Sequence, residues 1–446
     1  MRATVRYCVA ACMMLTVVEG AWRTACGAEP GLPASQDVPE LRLSLRDAIE
    51  AAVENSPKVK LVKEKIEAAR AQSLTQFGAL LPNLSGSLNA SNQRAFLGTI
   101  GLAPRRTDPF DLYDARGNLT QNLFSLSLIQ RWRASRVGVE VAEMDSEVTK
   151  RDTIATVALL YMEALRAEAA VKAGEANMEL SRQLLTLVQN RRAVGEATRL
   201  DAVRQEVQLE NDKQKLLAAR NDRDRAKLNL IRALGIRFAV NLVLTEELKL
   251  IESVFPTPQI ALQVAMEHRV ELKAQLQRIK LANLTLSSII GERLPSLAAQ
   301  GNTGLVGNHL DITTQTYSIG VVLSIPIFDG GQREARISES RSQMRQEMIR
   351  MKDVLDQVTL EINDALLTLE SAREQVSVAK EGIRLALTEV ELAEERFRVG
   401  VVTSIEVTNA QTSLERARDS MIEALFKFNA ARVNLARAQG RLEDLY

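Results

Sequence analysis

The sequence is poor in the residues that build chemistry. Its three cysteines, Cys8, Cys12 and Cys26, all fall within the first 26 positions. It has two histidines, His268 and His309, and no HExxH, P-loop or GxSxG motif. No catalytic residue, cofactor or metal site is expected from such a set, and no methionine or histidine cluster points to a metal cargo. Aromatics are only 4%, too few for an aromatic-rich globular core. The net charge is +1, so neither nucleic acid nor a strongly acidic partner is implied. Past the first 30 positions there is no run of ~18 apolar residues, the length a membrane-spanning helix needs. Proline is absent between Pro109 and Pro256 and again after Pro326, which leaves room for two very long helices.

The N-terminus has the pattern of an export signal. Arg2 and Arg6 precede a short apolar stretch, Tyr7 to Val18, and small residues follow. Residues 1–28 are expected to be removed after Ala28, leaving a chain without cysteine. Two alternatives stand beside this, a retained anchor and lipidation of Cys26. Arg23 occupies the position where a lipobox carries an apolar residue. An exported chain without a spanning helix is either soluble or part of a β-barrel.

The rest repeats itself once. Ala48–Asn55 parallels Ala261–His268, and Gly78 with Leu81-Pro82 parallels Gly291 with Leu294-Pro295. Val194-Gly195 parallels Val399-Gly400, and Asn229–Gly235 parallels Asn434–Gly440 at the same offset. This reads as a tandem duplication. The first repeat covers 29–235, a linker with Pro256 and Pro258 covers 236–259, and the second repeat covers 260–446. Each repeat holds a helix, two strands, a long helix, a tight break and a returning helix. The strands are expected at about 84–92 and 118–124, and at 297–305 and 317–325. The long helices are expected at about 125–194 and 330–399, and the returning helices at about 199–235 and 404–440.

Val137, Val141, Met144, Val148, Ala155, Ala158, Met162, Leu165 and Ala169 follow a 4-3 spacing, with Arg151 as one polar interruption. Met344, Met348, Met351, Leu355, Val358, Ile362, Leu366 and Leu369 do the same. Leu414, Met421, Phe428, Leu435 and Leu442 recur every seventh residue, with alanines between. Such seams predict tightly packed coiled-coil helices. A helix from Ser125 to Val194 would be ~100 Å long, suited to bridging an aqueous gap. A soluble coiled-coil adaptor or scaffold without a pore is the competing reading, and a detergent requirement would separate the two.

The strands bear on that choice. Tyr317, Ile319, Val321, Leu323 and Ile325 alternate with mostly small residues, over a length that fits a membrane barrel strand or a half-buried soluble hairpin. Four strands cannot close a barrel, so membrane strands would require two or three chains to share one. The first strand pair has a long connection, 93–117, and the second a short one at 307–311; long loops on one side are what such barrels carry outside the cell.

Leu323-Ser324-Ile325-Pro326-Ile327-Phe328-Asp329-Gly330-Gly331 resembles the strand-to-helix signature of the TolC-like outer-membrane factor family, and Leu119–Ser125 is its counterpart in the first repeat. Arg192–Gly195 and Arg396–Gly400 resemble that family's helix-tip motif. The resemblance covers about Leu45 to Arg441. It implies a mainly α protomer with a membrane β part, assembled as a homotrimer. The trimer would form a twelve-stranded barrel in outer-membrane lipid, continuous with a twelve-helix coiled-coil tunnel in the periplasm. It further implies docking to a periplasmic adaptor and an inner-membrane pump, through tips that carry Val194, Gly195, Thr198, Val399, Gly400 and Thr403. Pro326, Phe328, Gly330 and Gly331 would form the barrel-to-helix hinge.

Each tip reads Gly-x-x-Thr-x-x-acid: Gly195, Thr198, Asp201 and Gly400, Thr403, Glu406. These residues suit helix capping. The family resemblance adds a second role, an acidic gate at the positions of Asp201, Glu406 and Asn409, with Asn409 replacing an acid. Clustered carboxylates would attract cations and raise one another's pKa.

Overall fold

In a computed structural model, the structure describes residues 40–96, 101, 105–250 and 256–445. The export signal, Cys26 and part of the expected 236–259 linker lie outside the described residues. The chain falls into two compact units. A small one includes Glu40–Leu41 and Ala239–Asn241, and a large one comprises Arg42–Phe238 and Leu242–Tyr446.

The elements run β1 (Glu40–Leu43), α1 (Leu45–Asn55), α2 (Pro57–Gly78), β2 (Asn83–Gln93), β3 (Phe110–Phe124), α3 (Leu126–Ala193) and α4 (Arg199–Leu234). The same order follows in β4 (Asn241–Leu244), α5 (Pro258–His268), α6 (Val270–Gly291), β5 (Ser296–His309), β6 (Ile312–Ser324), α7 (Gln332–Arg398) and α8 (Ser404–Gln439). Among the described residues no helix is long and apolar enough to cross a membrane.

The helices of the large unit form four columns, in the order α2 with α4, then α3, then α6 with α8, then α7. α3 has 68 residues and α7 has 67, ~100 Å each. Their partner columns are built from two helices stacked end to end. At the first joint, Gly235 ends α4 in the left-handed conformation (φ 71°), and a Cβ there would lie 2.5 Å from the Asn55 carbonyl oxygen. Gly440 ends α8 in the same way (φ 72°), against His268. Arg151 is explained here: its guanidinium donates to the carbonyl oxygens of Gly440 (2.7 Å) and His268 (3.1 Å). Beside it, buried Arg269 donates to the Ala438 carbonyl oxygen at 2.9 Å and pairs with Glu361 on α7. Arginines at helix C-termini satisfy carbonyls that have no helical partner.

The α7–α8 seam buries Val358, Ile362, Ala365, Leu369, Ala372 and Val376 against Ala424, Phe428, Ala431, Leu435 and Ala438. The spacing alternates four and three, and large residues face small ones. Two details depart from the expected register. Ala365 is buried and Leu366 only partly so, and Met348 is exposed.

The four long strands form one antiparallel sheet in the order β2-β3-β5-β6. All four extend beyond the expected bounds, most of all β3, which starts at Phe110 rather than 118. The connection between β2 and β3 is therefore 94–109 and not 93–117, while His309 and Ile312 are joined by a two-residue turn. Paired residues place Leu84, Leu88, Ala115, Leu119, Leu305, Tyr317, Ile319, Val321 and Leu323 on one face. The other face carries Ser85, Ser87, Asn89, Asp114, Arg116, Asn118, Gln300, Asn302, Thr316 and Ser318. Among the described residues nothing covers the apolar face: Leu88 is 89% exposed and Ile319 85%.

Candidate functional site at the helix tips and the barrel-to-helix turn

The two tips are built alike. α3 ends at Ala193, and Gly195 (φ 84°) turns the chain while Glu196 N–H donates to the Arg191 carbonyl at 2.9 Å. α7 ends at Arg398, and Gly400 (φ 78°) turns the chain while Val401 N–H donates to the Arg396 carbonyl at 3.0 Å. The positive φ is what requires glycine at both positions. Leu184, Val188, Ala202, Phe397 and Val407 pack under the turns as a small core. Val194, Val399 and Val401 remain exposed at the ends.

The starts of the returning helices differ. Thr198 and Asp201 form a capping box: Asp201 N–H donates to Thr198 Oγ1 at 3.2 Å, and Thr198 N–H donates to Asp201 Oδ2 at 3.0 Å. Thr403 makes no side-chain cap; Glu406 N–H donates to its backbone carbonyl oxygen at 3.2 Å instead. Glu406 points into solvent, with Arg396 at 3.9 Å as an ion partner. Asn409 is exposed one turn further along α8.

Asp201 reaches across to the other repeat. Its Oδ1 accepts a hydrogen bond from Ser404 Oγ at 2.5 Å, joining α4 to α8. The Ser404 bond and then the Thr198 bond hold its carboxyl below the usual carboxylate range. Asp201 and Glu406 thus do not stand as an equivalent pair within one chain.

Sequence reasoning missed several residues that connect the helices here. Arg191 lies over the Phe397 ring at 4.9 Å, donates to the Phe397 carbonyl oxygen and pairs with Glu196 at 3.2 Å. Further up, Gln205 donates to Thr408 at 2.9 Å. Ser181 donates to Asp212 at 2.5 Å and accepts from Gln411 at 3.3 Å. Burial raises the Asp212 pKa. A polar seam therefore runs up among α3, α4 and α8, with buried Gln205 and Gln411 carbonyl oxygens lacking a hydrogen-bond partner among the described residues. Polar residues inside a heptad pattern were its only sequence signal.

At the other end of the long helices the repeats also diverge. β3 passes into α3 through one residue: Ser125 caps the helix, with Leu128 N–H donating to its Oγ at 3.4 Å. β6 takes residues 325–331 to make the same transition. Gly330 (φ 70°) and Gly331 (φ 83°) both adopt the left-handed conformation, and Asp329 accepts from Arg333 N–H at 3.0 Å. Ile327 and Phe328 in that turn are almost fully exposed.

The family model for outer membrane efflux proteins matches residues 48–236 and 261–441. This chain belongs to the outer membrane efflux protein family. The unmatched gap coincides with the linker between the repeats. Among curated relatives, outer membrane efflux protein BepC of Brucella suis is 25% identical over 378 residues, covering 82% of this chain and 78% of that protein. Alkaline protease secretion protein AprF of Pseudomonas aeruginosa is 22% identical over 413 residues, 90% of this chain and 85% of that one. Among solved structures, the Campylobacter jejuni CmeC outer membrane channel has a TM-score of 0.78 at 19% identity, covering 89% of this chain and 86% of that one. Vibrio cholerae VceC has a TM-score of 0.77 at 17% identity, covering 89% and 96%. An outer membrane efflux protein of TolC-like fold accounts for the uncovered apolar sheet, which a soluble coiled-coil scaffold does not. The family is one of channel and transport proteins, located in the outer membrane.

Proposed function

We propose that three copies of this chain close a twelve-stranded barrel in the outer membrane, continued into the periplasm by a twelve-helix tunnel. The assembly is the passive exit duct for substrates delivered by an inner-membrane pump through a periplasmic adaptor. The observation that carries this reading is the four-stranded sheet: among the described residues one face is apolar and uncovered, the other is polar, and both edge strands, β2 and β6, are unpaired on their outer side. Lipid tolerates neither an open edge nor an unpaired backbone group. Joining β6 of one copy to β2 of the next removes every edge and leaves the polar face to line the passage. Three copies rather than two follows from the family resemblance.

The helical columns support the same closure. The outer columns, α4 and α7, carry Val203, Leu217 and Leu228 and Ile349, Leu360, Leu367, Val378, Leu385 and Leu392 exposed. These are stripes that neighbouring copies would cover. The tips, with Val194, Gly195, Thr198, Val399, Gly400 and Thr403, face the adaptor in this reading. Asp201, Glu406 and Asn409 surround the tunnel mouth, and Pro326, Phe328, Gly330 and Gly331 let barrel tilt turn into helix direction. Cargo is chosen by the pump and adaptor. The relatives' names include both efflux and protease secretion.

The native mass of protein extracted from washed outer membranes tests this. Three chains, obtained only with detergent, is the expected result. A detergent-independent monomer in the periplasmic fraction would sink the duct.

A further inference from the structure

Just below the sheet, charge and aromatic content change together. The second and third turns of α3 carry Arg131, Trp132, Arg133 and Arg136. Trp132 meets Phe77, on the last turn of α2, with ring centroids 5.3 Å apart. The Arg136 guanidinium lies 5.6 Å over the Trp132 ring. Phe77, Trp132 and Arg136 line, with Arg70 and Leu74, an open groove of about 530 Å³ between α2 and α3, and Arg133 precedes Arg136 by one turn of α3.

The neighbouring charges are mostly accounted for. Arg70 pairs with Glu67 and Glu143, Arg131 with Glu292, and groove-lining Glu140 with Lys280. Arg133 and Arg136, both exposed, have no carboxylate within ion-pair distance among the described residues. Two guanidinium groups with no acidic partner among the described residues, beside an indole and an exposed Leu74, make a surface that is cationic at one end and apolar at the other.

The position of the groove identifies what it meets. Arg133 and Arg136 are nine and twelve residues past the end of β3, ~13–18 Å along the helix. A headgroup layer of ~5–8 Å and a snorkelling arginine side chain span much of that distance. Tyr161 follows Trp132 by 29 residues and Arg136 by 25, close to eight and seven turns, so the three share one side of α3. On that side Tyr161 donates to the Leu43 carbonyl at 3.2 Å and α1 packs. A passage enclosed by the long helices has no room for that layer, so the groove faces outward. This last step rests on the duct reading above.

We propose that the groove binds an anionic phospholipid of the periplasmic leaflet. Arg133 and Arg136 hold the phosphodiester through charge-assisted hydrogen bonds. Trp132, Phe77 and Leu74 take the glycerol and first acyl methylenes, as amphipathic aromatics do at membrane interfaces.

Trp22 and Trp132 are the only tryptophans of the sequence, so a Trp22→Phe chain reports on Trp132 alone. The detergent-solubilised full chain is titrated with dibrominated phosphatidylglycerol and, separately, dibrominated phosphatidylcholine, following fluorescence quenching. Phosphatidylglycerol is expected to half-quench at a lipid-to-protein ratio at least five-fold lower. Arg133→Gln with Arg136→Gln is expected to erase that difference. Equal quenching by the two lipids in the parent chain overturns the proposal, whether or not the double variant folds. A preference that survives in a folded double variant does so as well. Displacement of phosphatidylglycerol by millimolar inorganic phosphate would assign a small-anion site instead. A monomeric native mass would sink the duct and leave this titration readable, so the two readings fail separately.

Discussion

At the tips, two acids in equivalent places of the repeat have different surroundings. Asp201 is held by Thr198 and Ser404, whereas Glu406 is exposed with a long contact to Arg396. Asp201→Ala or Ser404→Ala is expected to unfasten α4 from α8 and raise basal conductance several-fold in planar bilayers. Glu406→Ala is expected to weaken cation block while leaving basal conductance near the parent's. Equal effects from the two acids would contradict this division. The pH dependence has a sign. Because the Asp201 pKa is lowered, its stabilisation is present above the ordinary carboxylate value of ~3.9 and is lost only as pH falls below that, through the folded-state pKa. The Asp201 fastening is therefore expected not to titrate between about pH 5 and 8, and a change of basal conductance in that range that survives in Ser404→Ala would belong to another group. The capping role of Asp201 was legible because a capping box is local, three residues apart. Ser404 and Arg191 were not, since their partners are 203 and 206 positions away and no periodicity announces them.

Among the elements, two glycines with the same backbone sign separate conformation from space. Gly195 (φ 84°) has nothing within 4 Å of an added Cβ, whereas at Gly235 (φ 71°) the Asn55 carbonyl oxygen stands 2.5 Å away. Gly195→Ala is expected to cost about 1–2 kcal/mol, the price of a left-handed alanine. Gly235→Ala is expected to cost more than that, because the end of α1 at Asn55 and the start of α2 at Pro57 must also shift. Thermal unfolding of the two variants in the same detergent measures the difference, and equal midpoints would show that the joint yields freely. The long helices were legible from heptads and missing prolines. The strands were underread because alternation is visible only where one face is apolar. The first part of β3 carries Asp111, Asp114 and Arg116, and only its pairing with β2 and β5 makes it a strand.

For the whole molecule, the apolar stripe on α7 marks an edge that the described residues leave uncovered. Leu367→Glu with Val378→Glu places two charges on residues 68% and 73% exposed. The chain's own core is untouched, but a contact with a neighbouring copy would bury those charges at considerable cost. Native mass is expected to fall from three chains to one, with circular dichroism unchanged. A trimer that persists would move the subunit contact elsewhere. The repeated order of elements was legible as two runs of matches, one offset before the strands (Gly78 and Gly291) and another in the returning arms (Gly195 and Gly400, Gly235 and Gly440), yet how many copies close the sheet is written in no single chain's periodicity. The stacked columns also govern how such a chain can change length over generations. A residue gained in α4 throws every later contact with continuous α3 out of phase, so the tunnel can grow only by matched whole heptads in both arms, ~10 Å at a time.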